Sequence, residues 1–201
     1  MSVLADLSIP SRRKENEMPS ENKVVAFFLE ELQAAHQTLE GTVMGVTHEQ
    51  AHWHPPGIAH PVGATYAHVI LSEDATINGM FKGQAPLFAG GWAGKTGVSE
   101  LPPMLNPQKP GFPDWREWGR RVRVDMENLR QYAQAVYAAS EAYLLSLGDG
   151  DLNRPVDLSV LGLGPSTLRY VLINGILGNA LTHCGEISCL KGLQSVRGYP
   201  F

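Results

Sequence analysis

The sequence predicts an all-α fold, a four-helix bundle with a long Gly/Pro-rich crossover between helices 2 and 3. Apolar residues recur at three- and four-residue steps in four separate stretches, the signature of amphipathic helices. The stretch 82–113 holds six glycines and six prolines, which regular structure does not tolerate. No alternating apolar and polar run is strong enough to suggest a sheet. Four helices with one long connection make a bundle with a crossover.

Each element follows in order. Residues 1–19 are polar and carry Arg12-Arg13-Lys14-Glu15, and they read as a frayed tail. Residues 20–201 read as a single domain. Ser20 is a fair N-cap for the first helix, with Glu21 in its first turn. Val25, Phe28, Leu32, Ala35, Leu39 and Val43 then form an apolar stripe of about six or seven turns. The helix stops near Gly41 to Gly45, and a loop with Pro55, Pro56 and Gly57 follows. Pro61 suits the first position of a second helix, which runs through Tyr66, His68, Ile70, Leu71 and Ile77 to about Phe81. A loop as long as 82–113 usually serves function or crosses the fold. A third helix is expected from about Asp114 to Leu147, closed by Gly148-Asp149-Gly150. Val156, Leu158 and Val160 suggest a short extended piece. Ser166 or Thr167 caps a fourth helix reaching about Leu193.

Composition narrows the function. The 201 residues are 43% hydrophobic and 18% charged, which excludes a disordered or fibrous chain. A net charge of −4 argues against an electrostatic nucleic-acid binder. No stretch reaches 18 consecutive apolar residues, so no membrane helix is expected. Met1 to Ser20 lacks the apolar core of a secretory signal. Cys184 and Cys189 lie on one helix, separated by about 7.5 Å of rise and about 140° of rotation, which does not suit a disulfide. They read as reduced residues of a cytoplasmic protein.

Seven histidines are more than such a chain usually carries. On helix four, Leu172, Ile176, Ile187 and Leu190 fall within about 40° of His183, which therefore sits in the apolar stripe. Asn179 lies on the same stripe one turn earlier, and Glu186 at its edge. On helix two, Ala64, Ser72, Ala75 and Gly79 leave room beside His68. His36 shares a side of helix one with Leu32 and Leu39. Bundle cores are where facing helices build metal sites, and imidazole is their commonest ligand. A single histidine on an apolar face is more often a core residue bonded to a carbonyl or hydroxyl.

The segment Val46-Thr47-His48-Glu49-Gln50-Ala51-His52-Trp53-His54-Pro55-Pro56-Gly57 precedes the helix bearing His68. The last helix reads Asn179-Ala180-Leu181-Thr182-His183-Cys184-Gly185-Glu186-Ile187, and the chain closes on Gly198-Tyr199-Pro200-Phe201. Over nearly all of 20–201 this resembles the DinB-like superfamily, with its YfiT-type metal-dependent hydrolases and thiol-dependent transferases. The resemblance implies a four-helix bundle, often dimeric, holding a divalent metal (nickel, zinc or iron) through three histidines. Carried over, His68 and His183 are the first and last ligands, and the middle one falls on Asn179. An amide oxygen is a poorer ligand than imidazole. The site is then weakened, completed by His36 or Glu186, or lost. A bundle that kept the fold, lost the metal and holds a small ligand is the alternative.

Weaker signals read as structure. Arg116, Arg120, Arg123 and Arg130 form one solvated face of helix three, with Glu127 among them. Ser72 lies one turn after His68 without an evident acidic orienter. Cys184 lacks an activating cation. Trp92, Phe88 and Phe112 pin the crossover to the bundle. The expected partners are a small-molecule substrate or ligand and a second copy of the chain, with an interface above about 1,000 Å². Neither nucleic acid nor membrane is expected.

Overall fold

The computed structural model describes residues 22–103, 115–159 and 162–201. The tail, Ser20, Phe112 and Val160 lie outside them.

Helix α1 spans Lys23–Val43 and buries Val25, Phe28, Leu32, Ala35, His36, Leu39, Thr42 and Val43. Its cap comes from far along the chain. The Asp149 carboxylate accepts from the N–H groups of Val24 at 3.1 Å and Val25 at 2.9 Å. A carboxylate there satisfies two unpaired donors and meets the positive end of the helix dipole.

The stretch after α1 is not all loop. Thr47 and Gln50 close a capping box on a short helix, α2, His48–His52. Helix α3, Val62–Asp74, starts at the Pro61 N-cap and continues as a π-helical stretch, Ala75–Phe81. It is buried on nearly every side.

The expected third helix is two helices. Helix α4 spans Trp115–Arg121 and α5 spans Met126–Leu145. The break has two causes. The Asp125 side chain accepts from Glu127 and Asn128 N–H and so starts a new helix. The crossover also takes the intervening backbone: Ser99 N–H donates to Arg123 O, Asp125 N–H donates to Gly97 O, and Val98 bridges Val124. Arg120 is therefore cut off from Arg123 and Arg130, and the single arginine face does not exist. Arg121 pairs with Glu100 and Arg130 with Glu40.

A two-stranded antiparallel sheet was not expected. Strand β1, Pro155–Asp157, pairs with β2, Pro165–Thr167, with Val156 opposite Ser166. The expected extended piece is met at Val156, in β1, while nothing in the sequence marked its partner strand. Thr167 then caps the last helical run, as the sequence suggests. That run passes through α6, Leu168–Tyr170, a π-helical stretch, Val171–Leu177, and α7, Gly178–Leu193.

The four long helices pack in a ring: α1 touches α5 and α7, and α3 touches the same two. One core cluster joins Leu39, Ile70, Leu71, Leu129, Tyr132, Val136 and Ile187, while a second gathers Val25, Phe28, Leu32, Leu144, Leu172 and Ile176. The crossover covers the first. Asp74 holds it down, accepting from Leu87 and Phe88 N–H at 3.0 Å each and from Tyr132 Oη at 2.5 Å. Phe88 is buried, and Trp92 packs on Tyr132 with ring centroids 5.6 Å apart. The chain end is tied by Lys191, whose buried Nζ donates to Thr42 O at 2.6 Å and Gly198 O at 3.3 Å. Cys184 is buried, Cys189 is exposed, and both are unpaired. Among the described residues, no helix is long and apolar enough to cross a membrane.

Candidate functional site

Helices α3 and α7 carry His68 and His183 to one place. Their rings stand edge to face, with centroids 4.9 Å apart. Ala64, one turn before His68, is small and buried, and it leaves space beside the imidazole. The result is a cavity of about 230 Å³ lined by His60, Ala64, Thr65, His68, His183 and Glu186.

Two polar contacts set the state of the rings. Glu186 Oε2 lies 2.7 Å from His183 Nδ1. An ionised carboxylate accepts only, so Nδ1 carries a proton, and in the neutral ring Nε2 keeps its lone pair. Asn179, one turn earlier on α7, hydrogen-bonds to His68. Burial first, then the neighbouring His183 and His60, lower the pKa of His68 from 6.5 to about 4, against the opposing pull of Asn179. His68 is thus a neutral imidazole near pH 7.

Ser72 Oγ lies 3.4 Å from His68 Nδ1. A histidine held near pKa 4 is a weak base at neutral pH, so this pair does not make an activated serine. Burial also raises the thiol pKa of Cys184, which excludes an activated thiolate.

His36 is not part of this group. Its Nε2 meets Glu73 Oε2 at 3.0 Å, and its ring stacks on Tyr137 with centroids 3.8 Å apart. The expectation that His36 replaces Asn179 beside His68 is therefore not met. Its helical position foretold burial but not which neighbour it would face. Glu186 does reach the site, as a partner of His183. His60 was missed by sequence reasoning, because it lies in the turn before α3 and no periodicity marks it. Its indirect signal is Gly119 on α4, where an added Cβ would stand 2.0 Å from His60 Nδ1. Among the described residues, no three His, Cys, Asp or Glu side chains converge well enough to hold a metal ion.

A model of the DinB superfamily matches residues 31–186. Among solved structures, one described as a conserved protein of a locus from Enterococcus faecalis superposes with a TM-score of 0.69 at 21% identity. The match covers 84% of this chain and 95% of that one, and at this identity it shows the shared fold. No curated protein matches the chain.

Proposed function

The chain belongs to the DinB superfamily, and from that premise we propose that the His68–His183 pocket is a weak divalent-metal centre serving hydrolysis or transfer to a low-molecular-weight thiol. The observation that carries this reading is the pairing of Glu186 with His183 Nδ1 beside a neutral His68. Metal-bound histidines generally donate their second nitrogen to a carboxylate, which fixes the tautomer and ring orientation. His183 has that arrangement, with Nε2 left as the coordinating atom. Both imidazoles fit a divalent cation of the nickel, zinc or iron kind, and Asn179 offers only an amide oxygen as third donor.

When bound, the metal would act as a Lewis acid on a substrate carbonyl or on a water or thiol proton. This chain's residues supply the rest. Glu186 holds the His183 proton at Nδ1. Asn179 orients His68. Ala64 and Thr65 shape the wall, and His60 adds a third imidazole to the same cavity.

A second reading has its own support. The hydrogen bond between His68 and Asn179 engages the amide that would be the third ligand. A pocket so satisfied suits a small organic ligand without metal or catalysis. Thermal unfolding separates the two readings. A ligand at 100 times its dissociation constant adds about 2.7 kcal/mol. A midpoint raised by nickel, zinc or iron(II) supports the metal centre. A midpoint unmoved by metals and raised by small organic molecules supports the alternative.

We extend the proposal to a homodimer. Val24, Phe27, Tyr170, Ile173 and Leu181 are large apolar side chains left about half exposed or more.

A further inference from the structure

On the other side of α3 from the histidine pocket, α1 and α5 enclose a cleft of about 520 Å³. Its lining is polar for a bundle: Gln37 and Glu40 from α1 face Gln134 and Glu141 from α5, over His36 and Tyr137. Beneath the lining lies a built network. Glu73 accepts from His36 Nε2 at 3.0 Å and from Ser140 Oγ at 2.6 Å. Glu40 accepts from Tyr66 Oη at 2.5 Å, Tyr137 Oη at 2.9 Å and Arg130 Nε at 3.0 Å.

One atom in this network is unsatisfied. His36 is 4% exposed, and its Nδ1 is buried without a hydrogen-bond partner. Glu73 accepts from His36 Nε2, and in the neutral ring Nδ1 then presents a bare lone pair. Buried polar groups are almost always paired, and each exception asks for an explanation. The charge balance tells what would complete it. Arg130 offsets Glu40, while Glu141 adds a negative charge, and among the described residues no lysine or arginine lines the cleft. The glutamines contribute uncharged carbonyl acceptors.

We infer that this cleft binds a small organic ammonium ion, whose N–H donors reach His36 and the acceptors of Gln134 and whose charge is matched by Glu141. The site is separate from the His68–His183 pocket and does not depend on a metal there.

The test is titration of the full chain with n-butylamine and 1,4-diaminobutane, with n-butyrate as the matched anion. The readouts are the imidazole ¹⁵N resonances of His36 and the dissociation constant. The amines are expected to shift the His36 signals saturably, and butyrate to leave them in place. Glu141 is only partly buried, so Glu141→Gln keeps the fold, and it should weaken amine binding by about tenfold or more. His183→Ala should leave amine binding unchanged. The proposal is overturned if amines give no saturable shift up to tens of millimolar, if butyrate shifts His36 equally, or if Glu141→Gln binds amines as well as the parent.

Discussion

Glu186 is exposed at the rim of the pocket, and its bond to His183 Nδ1 leaves Nε2 as the free nitrogen of the neutral ring. Loss of such a carboxylate typically lowers metal affinity by about 10–100-fold. Glu186→Gln is therefore expected to weaken nickel or zinc binding by that factor in calorimetry, with little change in the unfolding midpoint of the metal-free protein. His68 gives a pH dependence. Its folded pKa, about 4, lies below the ordinary 6.5, so the unfolded chain binds the proton more readily. Stability from this residue is fully present above pH 6.5 and is lost as pH falls toward 4, on the order of 3 kcal/mol in all. In metal-free protein, urea midpoints should fall over that window, and His68→Asn should flatten the fall. A parallel fall in the variant would show that another group titrates there. Helical spacing was enough to place His68, Asn179, His183 and Glu186 on inward or edge positions. It said nothing of His60, which only the tertiary turn over Gly119 delivers, and it misassigned the neighbour of His36.

Elements were legible where their signal was local. The stripes of α1 and α7 and the Thr167 cap follow from residues a few positions apart. The elements missed depend on distant partners. The break between α4 and α5 needs Gly97 and Ser99 of the crossover to take up the freed backbone groups. The cap of α1 needs Asp149, and no local rule connects residues that far apart. Its removal gives a direct check. Asp149→Ala should destabilise the fold by about 0.5–2 kcal/mol, the usual loss for an N-cap, read as a lowered urea midpoint with an unchanged slope. An unchanged midpoint would mean that α1 finds its capping partners elsewhere.

Among the described residues four long helices form a ring, and the two proposed sites lie on different sides of α3. Phe88 and Trp92 pack against the core, as expected of a crossover pinned to its bundle, and offer no dimer surface. The proposed dimer therefore rests on Phe27, Tyr170, Ile173 and their exposed neighbours. Light scattering at micromolar concentration should give about twice the 21.9 kDa chain mass, and Phe27→Lys with Ile173→Lys should return it to one chain. A single-chain mass, unchanged on tenfold concentration, would remove the dimer.

The metal centre is tested most directly by calorimetric titration of chelator-treated protein with nickel, zinc and iron(II), alongside Asn179→His and His183→Ala. Weak one-to-one binding is expected for the parent. It should tighten by about tenfold or more when imidazole replaces the amide, and it should vanish in His183→Ala. Absence of one-to-one binding in both the parent and Asn179→His would contradict a metal centre at this pocket.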